Sequence, residues 1–201
     1  MLFNILINIK MNFDKAHIKN NNSFLIIGNY KKSFVIKDII KNSESNYGFV
    51  VTKSSDYNTL FQLEYRFPRL HKETITEFKN IQMKYKYKSI IIVDSDDNSK
   101  LITEQYIKEL FYTHQCYNTS LIFTLEKPQN IDTNNISHII ILKEDNREKR
   151  INIYNMFIPI FKTFETFNEL MNKLSYRHSL MIHNGSYYIY LSYMQYATSL
   201  F

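Results

Sequence analysis

Short apolar runs, rich in β-branched residues, alternate along this chain with longer amphipathic stretches. Ser23-Phe-Leu-Ile-Ile-Gly28 is closed by a glycine and has the pattern of a strand buried on both faces. In Lys32–Lys41, Val35, Ile36, Ile39 and Ile40 fall on one helical face, with a lysine near the C-terminal end where the helix dipole favours it. Tyr47–Thr52 reads as a second strand, opened by Gly48 as an ordinary strand start. A polar, aromatic stretch holding Pro68 follows, and then a charged helix from His71 to Tyr85. Ser89-Ile-Ile-Ile-Val-Asp94 is the strongest strand, β-branched throughout its centre and running into acids. Thr103–Tyr112 predicts a helix with Ile107, Leu110 and Phe111 as its buried stripe, and Ser120–Thr124 and His138–Leu142 predict two further strands. The charged run Lys143–Arg150 reads as a solvated loop, and Ile151–Leu174 as helices interrupted near Pro159. Asn184-Gly185 between the apolar runs of Ser179–Tyr190 is a strong hairpin signal. This order predicts an α/β domain whose mostly parallel sheet is covered on both faces and ends in a β-hairpin.

Composition narrows the chemistry. Gly28, Gly48 and Gly185 are the only three glycines in 201 residues, each far from the others. An intact G-x-G-x-x-G or G-x-x-x-x-G-K-[ST] is therefore excluded, and any phosphate loop here is a variant one. The net charge of +6 permits a nucleic-acid partner, although the excess of Asn, Ile, Lys, Tyr and Phe is that of A/T-rich codons, which explains most of the charge. The single cysteine, Cys116, rules out disulfides within the chain, and the six histidines form no H-x-x-x-H pair. Cys116 reads as an ordinary half-buried thiol, since His114 two residues away would face elsewhere on a helix. The N-terminal stretch Met1–Lys10 is apolar but broken by asparagines and lacks the features of a signal peptide. The expected setting is intracellular, with Met1 or Met11 as the start. Residues 1–22 read as an irregular leader and 23–201 as a single domain.

Two strand ends carry candidate chemistry, because ligands of doubly wound sheets bind beyond the carboxyl ends of the strands. After the first strand, Gly28-Asn-Tyr-Lys-Lys-Ser33 runs into a helix. A lysine followed by serine at that point is what a triphosphate site uses, the lysine for phosphate and the hydroxyl for Mg²⁺. Lys32 and Ser33 would take these roles and Gly28 would allow the turn. The loop is two residues short, and Lys31 stands where a glycine with positive φ belongs, a conformation lysine adopts at a cost. A plain strand-to-helix turn is the competing local reading. The second strand end is Asp94, placed as a Mg²⁺–nucleotide site places its metal-holding acid. The next residue is Ser95, which cannot accept a proton at neutral pH, and Asp96 would substitute only in a re-angled loop. The sixty or so residues between Lys32 and Asp94 suit a P-loop fold.

The chain resembles the poxvirus-type DNA packaging ATPases of large nucleocytoplasmic DNA viruses, a branch of the FtsK/HerA-like P-loop ATPases. The likeness runs from about Asn22 to Tyr196. It rests on Leu25-Ile-Ile-Gly28 with Lys32-Ser33, on Ile90-Ile-Ile-Val-Asp94, on Glu109–Thr124, on Asn135–Ile141, and on Ile153–Phe157 with Ser179–Ile182. It implies a three-layer P-loop NTPase (RecA-like) domain that binds ATP and Mg²⁺, assembles as a homo-oligomeric ring or beside an active paralogue, and moves double-stranded DNA into a capsid. It further implies a host-cytoplasmic (viral factory) or virion location, with no membrane contact. Departures from the family pattern are the shortened loop, Ser95, and Thr113-His114-Gln115-Cys116 in place of an Asn-Gly-Arg-His run. Glu126 stands at a sensor position that is usually glutamine, and Thr133 or a neighbour stands where the family tends to carry a trans-acting arginine. Together these losses imply weakened or lost ATP hydrolysis. The alternative is a catalytically inactive structural or scaffold protein that keeps the fold to bind a virion partner or DNA.

Overall fold

The computed structural model describes residues 13–15, 18, 21–29, 31–45, 47–52, 65–67, 69–94, 104–126, 133–157, 160–175 and 177–192. Residues before Phe13, together with Pro68, Ser95, Asp96, Pro159, Tyr193 and Tyr196, lie outside them.

Eight strands form one sheet in the order β3-β2-β4-β5-β1-β6-β7-β8. They are β1 (Ser23–Ile27), β2 (Tyr47–Thr52), β3 (Tyr65–Phe67), β4 (Ser89–Asp94), β5 (Thr119–Leu125), β6 (His138–Ile141), β7 (His178–His183) and β8 (Ser186–Leu191). The pairings from β3 to β6 are parallel, and β7 and β8 are added antiparallel. The described helices are α1 (Lys32–Ser43), α2 (Lys72–Tyr85), α3 (Gln105–Thr113), α4 (Arg147–Met156) and α5 (Phe164–Lys173). A 3-10 turn, His114–Tyr117, joins α3 to β5.

The period of two along each strand sorts its side chains onto two faces. Phe24, Ile26, Val50, Ile90, Ile92, Ile122, Ile140 and Met181 pack with Val35, Ile36 and Ile39 of α1 and with Phe13 and Ile18. Leu25, Ile27, Phe49, Val51, Ile91, Val93, Leu121 and Phe123 pack against α2, α3, α4 and α5 on the other side. The result is three layers, with α1 the one described helix on its face. That helix is pinned through Asp38, which is 6% exposed. Lys15 Nζ lies 2.5 Å from Asp38 Oδ2, and the Tyr190 hydroxyl donates to the same oxygen at 2.5 Å. Burial and the neighbouring carboxylate push the Tyr190 phenol far above its ordinary range, so it stays a donor.

Several expectations are corrected. The run Lys143–Arg150 is not simply a solvated loop: α4 begins at Arg147, capped by the Asn146 side chain accepting from Lys149 N–H. Arg150 is buried, donating to the Asn168 and Asn172 side-chain oxygens at 2.7 and 2.6 Å and to the Glu144 carbonyl at 2.5 Å. A guanidinium with that many acceptors can be buried without losing its hydrogen bonds. The edge strand β3 was not anticipated, being three residues long. Cys116 is exposed, not half-buried. The Asn184-Gly185 hairpin is present, with φ of 50° and 67°, as a type I′ turn requires.

Gly48 is more than a strand start. Its φ is 156°, and a Cβ built on it would overlap the Ile90 carbonyl oxygen of the neighbouring strand. Gly185 has open space around its missing side chain. Gly48→Ala is expected to lower the unfolding free energy by about 3 kcal/mol and Gly185→Ala by about 1 kcal/mol. Equal costs in denaturant melts would show that β2 can shift away from β4.

His114 supplies a pH test. It is buried, and its Nδ1–H donates to the Thr119 carbonyl at 2.7 Å. Burial holds its pKa below the ordinary histidine value, outweighing that hydrogen bond. The folded chain therefore keeps His114 neutral while the unfolded chain takes up a proton below about pH 6.5. Its contribution is full above that pH and is lost as pH falls towards the folded pKa. Unfolding followed between about pH 7 and 5 should show His114→Gln losing a slope of up to about 1.4 kcal/mol per pH unit. Parallel curves would rule out His114 as a source of acid sensitivity.

Candidate functional site

The site is built where β4, β5 and β1 end side by side. Registry pairs Val93 with Phe123, Thr124 with Ile26, and Thr52 with Asp94. Alternation then decides direction. Thr52, Asp94 and Thr124 each lie two residues beyond an apolar residue of the α1 face, namely Val50, Ile92 and Ile122. All three polar side chains therefore stand on that face at the strand ends, and all three are buried.

The chain leaves β1 at Gly28, with φ of 107°, passes the exposed Asn29, and reaches Lys31 in the left-handed region at φ 55° and ψ 28°. Lysine does adopt the conformation for which glycine is preferred, at a cost of about 1–2 kcal/mol. Helix α1 starts at the next residue, which sets Lys32 and Ser33 in its first turn above the strand ends. Lys32 Nζ lies 2.6 Å from Asp94 Oδ1, with side-chain exposures of 18% and 1%. The Thr124 hydroxyl donates to the same oxygen at 2.6 Å. A carboxylate this deeply buried needs both contacts to offset its lost hydration.

The neighbouring loops close around the turn. Gly28 N–H donates to the Leu125 carbonyl at 2.8 Å, and Leu142 N–H donates to the Ile27 carbonyl at 2.9 Å. A Cβ on Gly28 would lie 3.2 Å from Leu142 Cβ, so the close approach reinforces the positive φ in selecting glycine. Glu126, the residue after Leu125, is half-buried beside this turn. Helix α1 has no side-chain cap and no acid in its first turn, and Lys31 and Lys32 stand at its positive end. That arrangement is electrostatically adverse for the bare helix and favourable to an anion placed there.

The donor set fits a Mg²⁺-bound phosphate. An ammonium and the N–H groups of a helix start suit the phosphate, and the Ser33 hydroxyl with the Asp94 carboxylate are hard oxygens of the kind Mg²⁺ takes. Thus Lys32 and Asp94 are brought together, with Gly28 opening the turn and Ser33 following Lys32 in the first turn of α1. Glu126 follows the turn's β5 partner Leu125, while Asp96 falls outside the described residues. Thr52 and Thr124 were missed. Their signal was present in strand parity, since each lies at or next to the end of its strand in step with Asp94.

The other candidates lie elsewhere. Thr133 borders a cleft of about 720 Å³ at the opposite end of the sheet, shared with Asn22, Gln115 and His183. The His114 ring is turned inward to Thr119 while Cys116 is exposed, so the two do not cooperate.

No family model and no curated protein matches the chain. Solved structures do. The DNA-packaging ATPase B204 from Sulfolobus Turreted Icosahedral Virus superposes with a TM-score of 0.61 at 14% identity, over 86% of this chain and 98% of that one. The genome packaging NTPase B204 from Sulfolobus turreted icosahedral virus 2, in complex with ATP-gammaS, gives 0.60 at 14% identity over 84% and 95%. The cytoplasmic domain of the Thermomonospora curvata Type VII secretion ATPase EccC gives 0.55 at 11% identity, over 88% of this chain and 26% of that one. What this chain shares with them is the fold, an α/β domain built on a mostly parallel sheet.

Proposed function

We propose that this chain is a viral DNA-packaging ATPase homologue of the poxvirus-type branch, which binds ATP with Mg²⁺ and hydrolyses it slowly or not at all. The observation that carries this reading is the 2.6 Å Lys32–Asp94 pair at the head of α1. It joins the phosphate-binding and metal-holding groups of a nucleotide site across two strands. The fold shared with a packaging NTPase that binds ATP-gammaS supports it.

In this reading Lys32 exchanges Asp94 for an incoming phosphate, and the N–H groups at the start of α1 and the turn at Gly28 hold the phosphate's other oxygens. Asp94, kept in place by Thr124, and the Ser33 hydroxyl would hold Mg²⁺. When bound, the ion neutralises charge that develops on the phosphates. Turnover is slow because Ser95 supplies no base, and because the loop is two residues short with Lys31 in place of its second glycine. Glu126 is the carboxylate nearest in sequence to the turn's β5 partner and takes the sensor role. The partners proposed are double-stranded DNA, further copies in a ring or an active paralogue, and capsid proteins, in the host cytoplasm (viral factory) or the virion.

A second reading draws on the same pair. Lys32, Asp94 and Thr124 satisfy one another without nucleotide, as they would in a scaffold that keeps the fold to bind a virion partner or DNA.

Thermal unfolding with and without MgATP separates the two. Nucleotide at 100 times its Kd should stabilise the chain by about 2.7 kcal/mol, a rise of roughly 5–10 °C for a domain this size. Lys32→Ala should abolish the rise and, by stranding a buried carboxylate, cost about 3 kcal/mol by itself. No rise with millimolar MgATP would sink nucleotide binding and leave the scaffold. Phosphate release with DNA present is expected below about 1 s⁻¹. Faster turnover would overturn the weakened-hydrolysis part alone.

A further inference from the structure

The last residues of α2 and its connection to β4 read Met83-Lys-Tyr-Lys-Tyr-Lys88, lysines alternating with a methionine and two tyrosines, and all six are exposed. Met83, Tyr85 and Tyr87 are 60%, 51% and 41% exposed, a concentration of large apolar groups that a charged surface does not explain. The two tyrosines end a ladder of rings that begins in the core. Phe78 stacks on Tyr47 at 5.9 Å and 7°, Tyr47 meets Tyr87 at 5.2 Å, and Tyr87 stacks on Tyr85 at 5.5 Å and 15°. Lys84 Nζ lies 4.8 Å from the centre of the outermost ring, Tyr85.

This ladder is held from beneath. Gln82 is 1% exposed; its Oε1 accepts from Tyr87 N–H at 3.2 Å, and its Nε2 donates to the carbonyls of Tyr87 and Tyr117 at 3.1 Å each. Lys86 takes φ of 52° and donates its N–H to the Gln82 carbonyl at 2.9 Å, while its own carbonyl accepts from Asn118 Nδ2 at 3.1 Å. The turn is thus fixed in advance with rings and ammonium groups outward, so little entropy is lost when a ligand settles on it. Lys79 Nζ, 5.5 Å from the Tyr117 ring, makes a second ammonium–ring pair on α2. Among the described residues, the acid paired with the segment is Glu44, 2.8 Å from Lys88 Nζ and itself exposed.

We propose that this turn binds single-stranded nucleic acid. An unpaired base continues the ladder on the outer face of Tyr85, displacing the Lys84 ammonium, which moves with Lys86 and Lys88 to the phosphates. A ring ladder offers flat π faces that accept any base, and the interleaved lysines supply the sequence-independent phosphate contacts. A duplex hides its base faces and uses the lysines only. The surface lies at the start of β4, whereas Asp94 lies at its end, so binding here is independent of the nucleotide site.

The test is fluorescence anisotropy of a labelled oligo-dT of about 15 nucleotides, with the full chain, no ATP and about 50 mM salt. Saturable binding is expected, weakened about tenfold by Tyr85→Ala and left within about twofold by Tyr85→Phe, which keeps the ring. Replacing Lys84, Lys86 and Lys88 by Gln should reduce the slope of log affinity against log salt by about 2. Tyr112→Ala, also exposed at 61% but outside the ladder, should change nothing. If Tyr85→Ala lowers the melting midpoint, Tyr85→Leu preserves the apolar contact and reads the same loss. Absence of oligonucleotide binding, indifference to loss of the ring, equal competition by duplex of the same length, or capture by phosphatidylserine vesicles in place of the oligonucleotide would each overturn the proposal.

Discussion

An ammonium at the head of α1 and a carboxylate at the end of β4 face each other at 2.6 Å, and much of the fold must be in place for them to do so. The two residues are far apart in sequence and belong to elements separated in the sheet by β5. Their meeting requires parallel strands of matched length, the order β4-β5-β1, and a helix laid back over one face from the end of β1. Thr124 fills the intervening position on β5 and completes the group. A carboxylate so buried is tolerable only while these contacts hold, which couples the candidate site to the integrity of the sheet.

The layer that carries this site is thinly built. On its face α1 is the one described helix, supported by Phe13 and Ile18, whereas four helices cover the other. Its direction is secured by Asp38, which receives Lys15 from the N-terminal segment and the Tyr190 hydroxyl from the hairpin. The antiparallel hairpin and the residues ahead of β1 thereby help to aim the first turn of α1. A ligand that draws Lys32 from Asp94 acts on a helix tethered about two turns further along. At the other end of the sheet the polar chemistry differs in kind. Gln82 directs its amide to backbone groups of the α2–β4 turn and of the 3-10 turn and to the Ser89 and Thr119 hydroxyls, which fixes a surface.

Much of the architecture was legible because it rests on local rules. The β1, β4, β5 and β6 runs are apolar on both faces, as buried parallel strands must be. The period of Val35, Ile36 and Ile39 was enough to place α1, and Asn184-Gly185 to place the hairpin. Arg150 escaped because a charge run looks solvated until a packing partner, here the amides of Asn168 and Asn172, is known. Edge strand β3 escaped because three residues carry no period. Gly48 read as incidental because the obstruction that demands it is the carbonyl of Ile90, over forty residues away.

The candidate site divides along the same line. Lys32, Ser33 and Asp94 were identifiable from strand ends and residue type alone, since a lysine and hydroxyl opening a helix and an acid closing a strand are local features. So was the oddity of Lys31, although only the folded chain shows it holding the left-handed conformation expected of glycine. That Lys32 grips Asp94, that Thr124 joins them, and that Tyr85 stands at the end of a ring ladder rooted in Phe78 were decided by tertiary structure. Sequence determines which groups each element can offer and on which face. Contacts between groups that share no element depend on strand order and register, and these emerge only when the whole sheet closes.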